Sequence, residues 1–224
     1  MSLIIGLLAS ELHNIFDRLV EKVKGVIAFM ETIERRAERR EVRREQILNS
    51  ALKVFAERGV KEAIMEEVAA EAGMGKGTIY YYFPSKEALL EKIVATTVDY
   101  HFNGILELIE HASSPLEVAE GIIEGSVANY KKNPRLFKVF YMVLAEPRGR
   151  VKRALEVFTG RHLEWLKRLE EAVGPVLLDH GLAPKSFIGF MGTHIHGIIL
   201  LATGGQDIDD LKDESLEALR GLLR

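Results

Sequence analysis

Apolar residues recur at steps of three and four along almost the whole chain, and the strict alternation typical of β-strands is missing. Glycine, proline and short polar residues interrupt this pattern at intervals of ordinary helix length. The sequence therefore predicts an all-α protein. The predicted breaks are Gly59, Gly73–Gly77, Pro84, Ser113–Pro115, Asn133–Pro134, Pro147–Gly149, Gly174–Pro175, Gly181–Pro184 and Gly204–Gly205.

An amphipathic helix is predicted over residues 12–33. Its apolar positions form one wide stripe, while charged residues fill the opposite face. The stripe consists of Leu12, Ile15, Phe16, Leu19, Val20, Val23, Val26, Ile27, Met30 and Ile33. Such a stripe needs a partner, which is the rest of the protein, a second subunit or a membrane surface. The mixed charges of the polar face favour protein over an anionic membrane. A start at Met30 is an alternative, in which residues 1–29 would not belong to the natural protein.

Residues 35–44 read RRAERREVRR and place six arginines in two rows of a continuing helix. One interpretation is a solvated face whose arginines pair with nearby glutamates. The other is attraction of DNA phosphates by a basic strip that immediately precedes a DNA-binding module. Its position in the chain favours the second interpretation.

Two short helices joined by a glycine turn are predicted after a first amphipathic helix at residues 43–59. Gly59 closes the first helix, and Gly73-Met74-Gly75 forms the turn, because glycine permits positive φ and a steep helix crossing. The inward positions are Ile47, Leu48, Ala51, Leu52, Val54 and Phe55 in the first helix, and Met65, Val68, Ala69 and Ala72 in the second. This arrangement is the geometry of a helix-turn-helix that enters a DNA major groove.

The third helix begins near Lys76 and ends at Pro84. Ile79 and Phe83 lie four residues apart and are expected to face the core. Lys76, Thr78, Tyr80 and Tyr81 are then left for the outer face, where they suit phosphate oxygens and base edges. Three consecutive tyrosines span roughly 200° of a helix, so at least one must be exposed. Lys86 is expected to contact a phosphate at the start of the next helix.

The run AEAGMGKGTIYYYFPSKEALL at residues 70–90 resembles the signature of TetR-type transcriptional regulators, and the upstream ILNSALKVFAERG also matches. The resemblance implies that Lys76, Gly77 and Thr78 approach the groove. It also implies that Tyr80, Tyr81 and Tyr82 contact the backbone and flanking bases, and Lys86 a phosphate. The chain departs from the usual pattern at Ala63 and Ile64, where Thr or Ser would cap the second helix, and at Gly75 in the turn.

The second half of the chain is also predicted to be helical. The expected helices cover residues 86–111, 115–133, 134–146, 150–173, 183–203 and 207–223. Phe187–Ala202 is almost free of charge, and together with Ile208–Leu223 it resembles the four-helix dimer interface of the family. The predicted domains are an N-terminal extension at residues 1–40, a helix-turn-helix domain at 41–92 and a ligand-binding and dimerisation domain at 93–224.

Apolar and aromatic residues on the middle helices are candidates for an effector pocket, although each residue type is more often plain core. The candidates are Phe102, Leu106, Tyr130, Phe137, Tyr141, Trp165, Phe190 and His194. Few charges fall in these stretches, which favours a small, mostly apolar effector. His194 and His196 point about 200° apart on a helix, so they are not expected to share a metal. One is expected at an interface and the other towards a pocket.

Composition narrows the class of protein. The net charge is −3, but residues 35–92 carry +2 and the remainder −5, which suits a nucleic-acid module joined to something else. The chain has no cysteine, no signal peptide pattern and no apolar run of the roughly 18 residues typical of a membrane span. A cytoplasmic protein with no membrane partner is expected.

No Gly-rich phosphate loop, nucleophile elbow or metal-ligand cluster is found, so neither an enzyme nor a cofactor or metal site is expected. The predicted function is a homodimeric DNA-binding regulator, a repressor that a small effector releases from a palindromic double-stranded operator. The alternative is an all-helical scaffold or membrane-surface adaptor that does not bind DNA.

Overall fold

A computed structural model describes residues 2–102, 104–146 and 148–223, with side chains described for residues 21–102, 104–146 and 151–223. This part of the chain forms ten α-helices and no β-strand. The helices are α1 (Ser2–Arg58), α2 (Met65–Ala72), α3 (Lys76–Tyr82), α4 (Lys86–Phe102), α5 (Ile105–Ile109), α6 (Pro115–Lys132), α7 (Pro134–Ala145), α8 (Arg148–Asp179), α9 (Pro184–Thr203) and α10 (Ile208–Leu222). The predicted all-α class is confirmed.

The chain divides into two compact units, Met1–Gln46 and Ile47–Arg224. The first unit is the N-terminal part of α1. Within it, Val23, Val26, Ile27, Met30 and Ile33 of the predicted apolar stripe are each at least half exposed. The side chains of Leu12, Ile15, Phe16, Leu19 and Val20 lie outside the described residues. A protein partner for this stripe therefore stays a prediction.

The arginines of residues 35–44 pair along their own helix. Arg35 lies 3.5 Å from Glu31, Arg44 lies 4.0 Å from Glu41, and Arg43 donates a hydrogen bond of 3.1 Å to Gln46 Oε1. Pairs of this kind are typical of a solvated helix face. These arginine side chains remain close to solvent, and an ion pair exposed to solvent holds its two partners only weakly. The pairs therefore do not prevent the arginines from binding DNA phosphates, and attraction of phosphates stays a prediction.

Two hydrophobic cores stabilise the second unit. The first core joins the end of α1 with α2, α3, α4, α7 and the start of α8, and its largest enclosed side chains include Phe55, Phe83 and Ile79. The second core joins α5, α6, α8, α9 and α10 around residues such as Met191 and Leu177. Three aromatic residues on α4 and α7 pack against both cores: Tyr100, Phe102 and Tyr141. The helices that carry these aromatics therefore link the two cores.

The helix predicted at residues 86–111 is divided in the structure. Helix α4 ends at Phe102, and α5 begins at Ile105 after Gly104, whose φ of 78° lies in the left-handed region that favours glycine. The carbonyl oxygen of His101 accepts a hydrogen bond of 2.8 Å from the Asn129 side chain of α6. This contact satisfies a carbonyl at the end of α4, where no later turn of helix can do so.

The predicted break at Gly174–Pro175 is wrong, because α8 continues through Pro175 to Asp179. Proline in a helix interior costs about 3 kcal/mol through a lost hydrogen bond and a steric clash. Val173 and Leu177 on either side of it are almost completely buried in the second core, while Pro175 itself is exposed. The burial of Val173 and Leu177 in the core therefore outweighs the tendency of Pro175 to interrupt the helix.

Helix α9 has 20 residues and is long and apolar enough, by length and composition alone, to cross a membrane. The core helices of many proteins meet the same criterion. Seven of its residues are buried in the second core of this structure, namely Phe187, Ile188, Met191, Ile195, Ile198, Ile199 and Ala202. This burial accounts for the apolar residues of one face, whereas Phe190, Leu200 and Leu201 on the other face are about half exposed.

Candidate functional site

The turn between α2 and α3 has the geometry expected of a helix-turn-helix. Gly73 ends α2 in the left-handed conformation with φ 63°, and the Met74 N–H donates to the Ala69 carbonyl at 3.0 Å. Gly75 then adopts an extended conformation and starts α3 at once. Two short helices are thereby joined by only three residues. Met65, Val68, Ala69 and Ala72 face inward as predicted.

Helix α2 starts without the side-chain cap that Thr or Ser would supply at position 64. Ile64 has no group that accepts a hydrogen bond, but its own N–H donates to the Glu67 carboxylate at 3.2 Å. Ala63 is completely buried. With Ala63 and Ile64, the chain lacks the side-chain oxygen by which Thr or Ser would cap the helix. The other capping contact, from a glutamate three residues into the helix, is present.

Helix α3 separates into an inner and an outer face as the sequence predicts. Ile79 and Phe83 are buried in the first core. Lys76, Gly77 and Thr78 are exposed, and so are Tyr80 and Tyr81, with 38% and 70% of their surfaces accessible. Tyr82 is half-buried, packs against the first core and meets Tyr81 edge to face at 5.1 Å. The outer face thus presents a lysine, a hydroxyl and two aromatic rings together.

Lys76 is held on this face by an ion pair with Glu66 of α2 and lies 5.8 Å from the centre of the Tyr80 ring. The hydrogen bond from Lys76 lowers the pKa of Glu66, and the same bond raises the pKa of Lys76. Both side chains are exposed, and an ion pair in water contributes little to stability. The ammonium group is therefore positioned but remains available to exchange its carboxylate for another anion.

Lys86 occupies a different place from the one predicted. Its Nζ donates three hydrogen bonds to main-chain carbonyls between α1 and α2, at 2.9 Å to Val60, 3.1 Å to Lys61 and 3.0 Å to Ala63. An ammonium group has three N–H donors, so all of them are used within the protein. This geometry contradicts the expected phosphate contact and makes Lys86 the anchor of α4 on the helix-turn-helix.

A cleft of about 500 Å³ opens between α4, α5 and α8. Phe102, Leu106 and Trp165, three of the predicted pocket residues, line it. Phe102 and Trp165 stack face to face with their centres 3.7 Å apart. Five charged residues line the cleft as well, namely Asp99, Glu107, Arg161, Glu164 and Arg168, and Arg161 pairs with Asp99. The cleft therefore combines charged side chains of both signs with aromatic rings.

Two small interior cavities of about 20 Å³ and 10 Å³ lie deeper in the molecule. Both are lined by His101, His162 and His196, from α4, α8 and α9. The Tyr141 hydroxyl lies 2.9 Å from His196 Nδ1, so these two groups are hydrogen-bonded. Phe137 and Tyr141, predicted for a pocket, line the smaller cavity. The sequence did not single out His101 or His162, because only the tertiary fold brings these helices together.

Burial keeps the interior histidines neutral. Although His101 as a residue is half-buried, its ring lies in the interior, where desolvation lowers its pKa to about 3 and the neighbouring His196 and His162 add to the effect. Desolvation also lowers the pKa of His162 and of His196, and it raises the pKa of Tyr141. Neutral imidazoles can each offer one donor and one acceptor nitrogen.

Three predicted pocket residues lie elsewhere. Tyr130 is buried in the second core against Phe137, with ring centres 5.7 Å apart, and does not line the cleft or either cavity. Phe190 and His194 stack at 5.8 Å beside a groove between α9 and α10. His196, and not His194, is the histidine of α9 that faces the interior cavities, and His194 faces the groove. The two differ because residues two apart on a helix point in nearly opposite directions.

In residues 21–102, 104–146 and 151–223, no group of three or more His, Asp or Glu side chains is placed to hold a metal ion. The interior histidines are thus arranged as hydrogen-bonding groups around a cavity. Their ring centres lie 6.3 Å apart for His101 and His196 and 6.1 Å apart for His162 and His196.

Residues 47–93 match the family described as bacterial regulatory proteins, tetR family. This range covers the end of α1, the helix-turn-helix and the first turns of α4. Residues 47–93 are thus similar to the DNA-binding part of the TetR family. The sequence-based resemblance, which was carried by residues 45–92, is confirmed.

Two curated relatives align with less than two fifths of this chain. The HTH-type transcriptional repressor KstR2 of Mycolicibacterium smegmatis is 33% identical over 84 residues, which are 38% of this chain and 41% of that protein. The HTH-type transcriptional regulator YuxN of Bacillus subtilis is 41% identical over 69 residues, which are 31% and 24%. The alignments thus span 41% and 24% of the lengths of these two relatives.

Solved structures resemble this chain over a much greater length. FadR from Bacillus subtilis in complex with stearoyl-CoA has a TM-score of 0.65 at 20% identity, covering 78% of this chain and 96% of that one. AibR in complex with isovaleryl coenzyme A and operator DNA has a TM-score of 0.61 at 19% identity, with the same coverage. These likenesses establish the predicted fold, an N-terminal helix-turn-helix domain followed by a helical C-terminal domain.

Proposed function

We propose that this chain is a DNA-binding transcriptional regulator, a repressor that a small effector releases from a palindromic operator. The outer face of α3 carries the proposal, since Lys76, Gly77, Thr78, Tyr80 and Tyr81 are exposed together on a helix that follows a three-residue turn. Lysine and tyrosine hydroxyls suit phosphate oxygens, and threonine suits a base edge or a thymine methyl group. Tyr82 takes a supporting place beside Tyr81. Operator binding of this kind takes place in the cytoplasm.

A homodimer through α9 and α10 is part of the proposal. The face of α9 that points away from the second core exposes Phe190, Leu200 and Leu201 with 46–53% of their surfaces accessible. Gly189 and Gly197 lie on the same face with open space where a side chain would be, so another helix can approach closely. Two-fold symmetry through such an interface places two α3 helices on successive half-sites of a palindrome.

The cleft and the cavities between α4, α6, α8 and α9 are the proposed effector site. The walls of the two interior cavities are mostly apolar, which favours an apolar effector, whereas the cleft adds charged residues of both signs that suit a polar part of the same molecule. Two solved structures with the same fold hold acyl thioesters of coenzyme A. Such thioesters, in a series of chain lengths, are the first compounds to test.

Helix α4 is the proposed connection between the two sites. Its last residue, Phe102, lines the cleft, and its first residue, Lys86, is fixed by three hydrogen bonds to the segment that precedes α2. An effector that displaces the end of α4 therefore changes the position of the recognition helix, and one population of conformers replaces another. By linkage, operator and effector must weaken each other's binding by the same factor.

Selection of bound fragments from a genomic DNA library tests the proposal. A palindromic sequence is expected. Tyr81→Ala and Lys76→Ala should each lower affinity for it about tenfold at unchanged thermal stability, and Lys76→Ala should also reduce the salt dependence by about one counterion. Lys167→Ala, an exposed lysine of α8, is the matched control. Equal binding by all four proteins, or no enrichment of any sequence, would contradict the DNA-binding role.

A further inference from the structure

Four buried side-chain atoms of the described residues have no hydrogen-bond partner, namely Nδ1 of His101, Oγ of Ser126, Nδ1 of His162 and Nε2 of His194. His194 lies beside the groove between α9 and α10, whereas the other three residues lie together. Each of these three belongs to a different helix, α4, α6 or α8, and all three line the same interior cavity of about 20 Å³. A buried polar group without a partner costs about 1–3 kcal/mol, so three such groups around one cavity need an explanation.

The other lining residues of this cavity restrict what it can bind. Apart from His196, they are glycine or apolar and aromatic side chains from five helices, and none of the described residues around it is charged. The desolvated histidines are neutral, for the reasons given above. A cation or an anion would therefore enter without a counter-charge, which is strongly unfavourable in an apolar interior.

Phe102 separates this cavity from its neighbours. Among the described residues it is the one side chain that lines the outer cleft and both interior cavities. It is half-buried, stacks on Trp165, and ends α4 just before the left-handed Gly104. A rotation of this one ring would therefore change all three spaces at once.

We propose that the cleft and the two cavities form one effector site with Phe102 as its gate. We propose further that the buried end of the effector carries an uncharged oxygen, a hydroxyl or a carbonyl, bound by His101, Ser126 and His162. This inference rests on the proposed function only in calling the ligand the effector. It specifies a chemical class: an apolar molecule with a neutral hydrogen-bonding group at its inner end.

A single ordered water is the competing explanation. A cavity of about 20 Å³ can hold one water molecule, which needs two to four polar partners. Water, however, explains neither the aligned cavities beyond Phe102 nor the 500 Å³ cleft outside it. An effector oxygen would take the position of that water and keep its hydrogen bonds.

Phenol and toluene provide a matched pair of probes, since they differ only in a hydroxyl in place of a methyl group. Binding of each to the full-length protein without DNA is measured by titration calorimetry, and the ring signals of His101 and His162 are followed by NMR. The wild type should bind phenol about tenfold more tightly than toluene, with shifts in both histidine rings. A purely apolar site would prefer toluene.

Variants make the test specific. Ser126→Ala and His162→Phe should each remove most of the preference for phenol. Ser215→Ala, which changes a buried serine of α10 outside this site, should retain it. Phe102→Ala should accelerate association of both probes without changing their order of affinity. Equal affinities in the wild type, or a phenol-soaked crystal with a water on the three atoms and phenol elsewhere, would overturn the inference.

The outcome is separable from that of the proposed function. If phenol binds with the expected preference but no bound compound changes operator affinity, the effector site stands and the regulatory coupling fails. If coenzyme A thioesters release the operator while phenol shows no preference over toluene, the regulator stands and the polar inner end is wrong.

Discussion

The DNA-binding region at residues 47–93 and the proposed effector region around His196 are built from the same kind of helices, but they differ in how their buried polar groups are paired. In residues 47–93 no enclosed side-chain nitrogen or oxygen lacks a partner, and Lys86 alone makes three hydrogen bonds to the main chain. In the effector region, His101, Ser126 and His162 keep buried polar atoms without partners next to open space.

The difference indicates what each region must do. A recognition helix must hold its outer side chains in one arrangement, and a fully satisfied interior makes that arrangement rigid. A ligand site keeps part of its hydrogen-bonding capacity unused until the ligand arrives. Its polar groups therefore lower the stability of the empty protein, whereas those of the DNA-binding region raise it.

The largest effect is expected from Lys86→Met. This change removes a charged donor from three carbonyls and should lower the free energy of unfolding by about 2 kcal/mol, since hydrogen bonds to charged groups are among the stronger ones. Chemical denaturation measures the change, and Lys92→Met, an exposed lysine of the same helix, is the control. A loss of DNA binding without a change in stability would instead indicate that Lys86 contacts a DNA phosphate.

The effector region should lose stability in mild acid. The pKa of His101 is about 3 in the folded protein against 6.5 for an ordinary histidine, so the unfolded chain binds more protons between these values. The free energy of unfolding should therefore fall as pH falls below about 6.5, by about 2 kcal/mol between pH 7 and 5. His162 and His196, whose pKa values are also lowered, add to the decrease.

Urea denaturation at a series of pH values checks this slope. His101→Phe removes the group that must be charged on unfolding and should flatten the curve between pH 7 and 5. A variant curve that runs parallel to the wild type would show that His101 is not the source of the acid sensitivity.

A smaller effect of opposite sign is expected from Ser126→Ala. The hydroxyl is completely buried and unpaired, so its removal should leave the protein unchanged or more stable by up to about 1 kcal/mol. Thermal unfolding of the ligand-free protein measures it. Clear destabilisation would mean that the hydroxyl has a partner in solution, such as a tightly held water, and would weaken the contrast between the two regions.

The smallest effect is expected at the surface. Lys131 of α6 donates to Asp209 of α10 at 2.6 Å, but both side chains are nearly half exposed. Water screens such a pair, so Asp209→Asn should leave the unfolding midpoint almost unchanged. A large decrease would show that surface ion pairs, and not the second core, hold α10 in place.

The DNA-binding region could be predicted almost residue by residue, because its packing follows local periodicity. The positions of Ile79, Phe83, Met65 and Val68 follow from helical spacing alone, and the glycines of the turn mark where the helices end. What spacing does not reveal is where a long side chain finds its acceptors. Lys86 meets carbonyls more than twenty residues earlier in the chain, so only the tertiary structure shows its role.

The effector region was predicted only in part, because its site is assembled from residues far apart in sequence. His101, Ser126, His162 and His196 show no common pattern along the chain, and no local rule brings them together. The aromatic candidates on α4, α7 and α8 line the cleft or the cavities, and their role in binding an effector stays a prediction. Phe190 and His194 do not line them, since the sequence of α9 is apolar on both faces and does not distinguish inside from outside.

The stacked pair in the cleft has a practical consequence. Trp165 is the only tryptophan of the chain, and it lies against Phe102 in the cleft. Its fluorescence spectrum therefore reports on a single location, without a label and without background from other indoles. The wavelength and intensity of the Trp165 emission would therefore report the binding of compounds that enter the cleft.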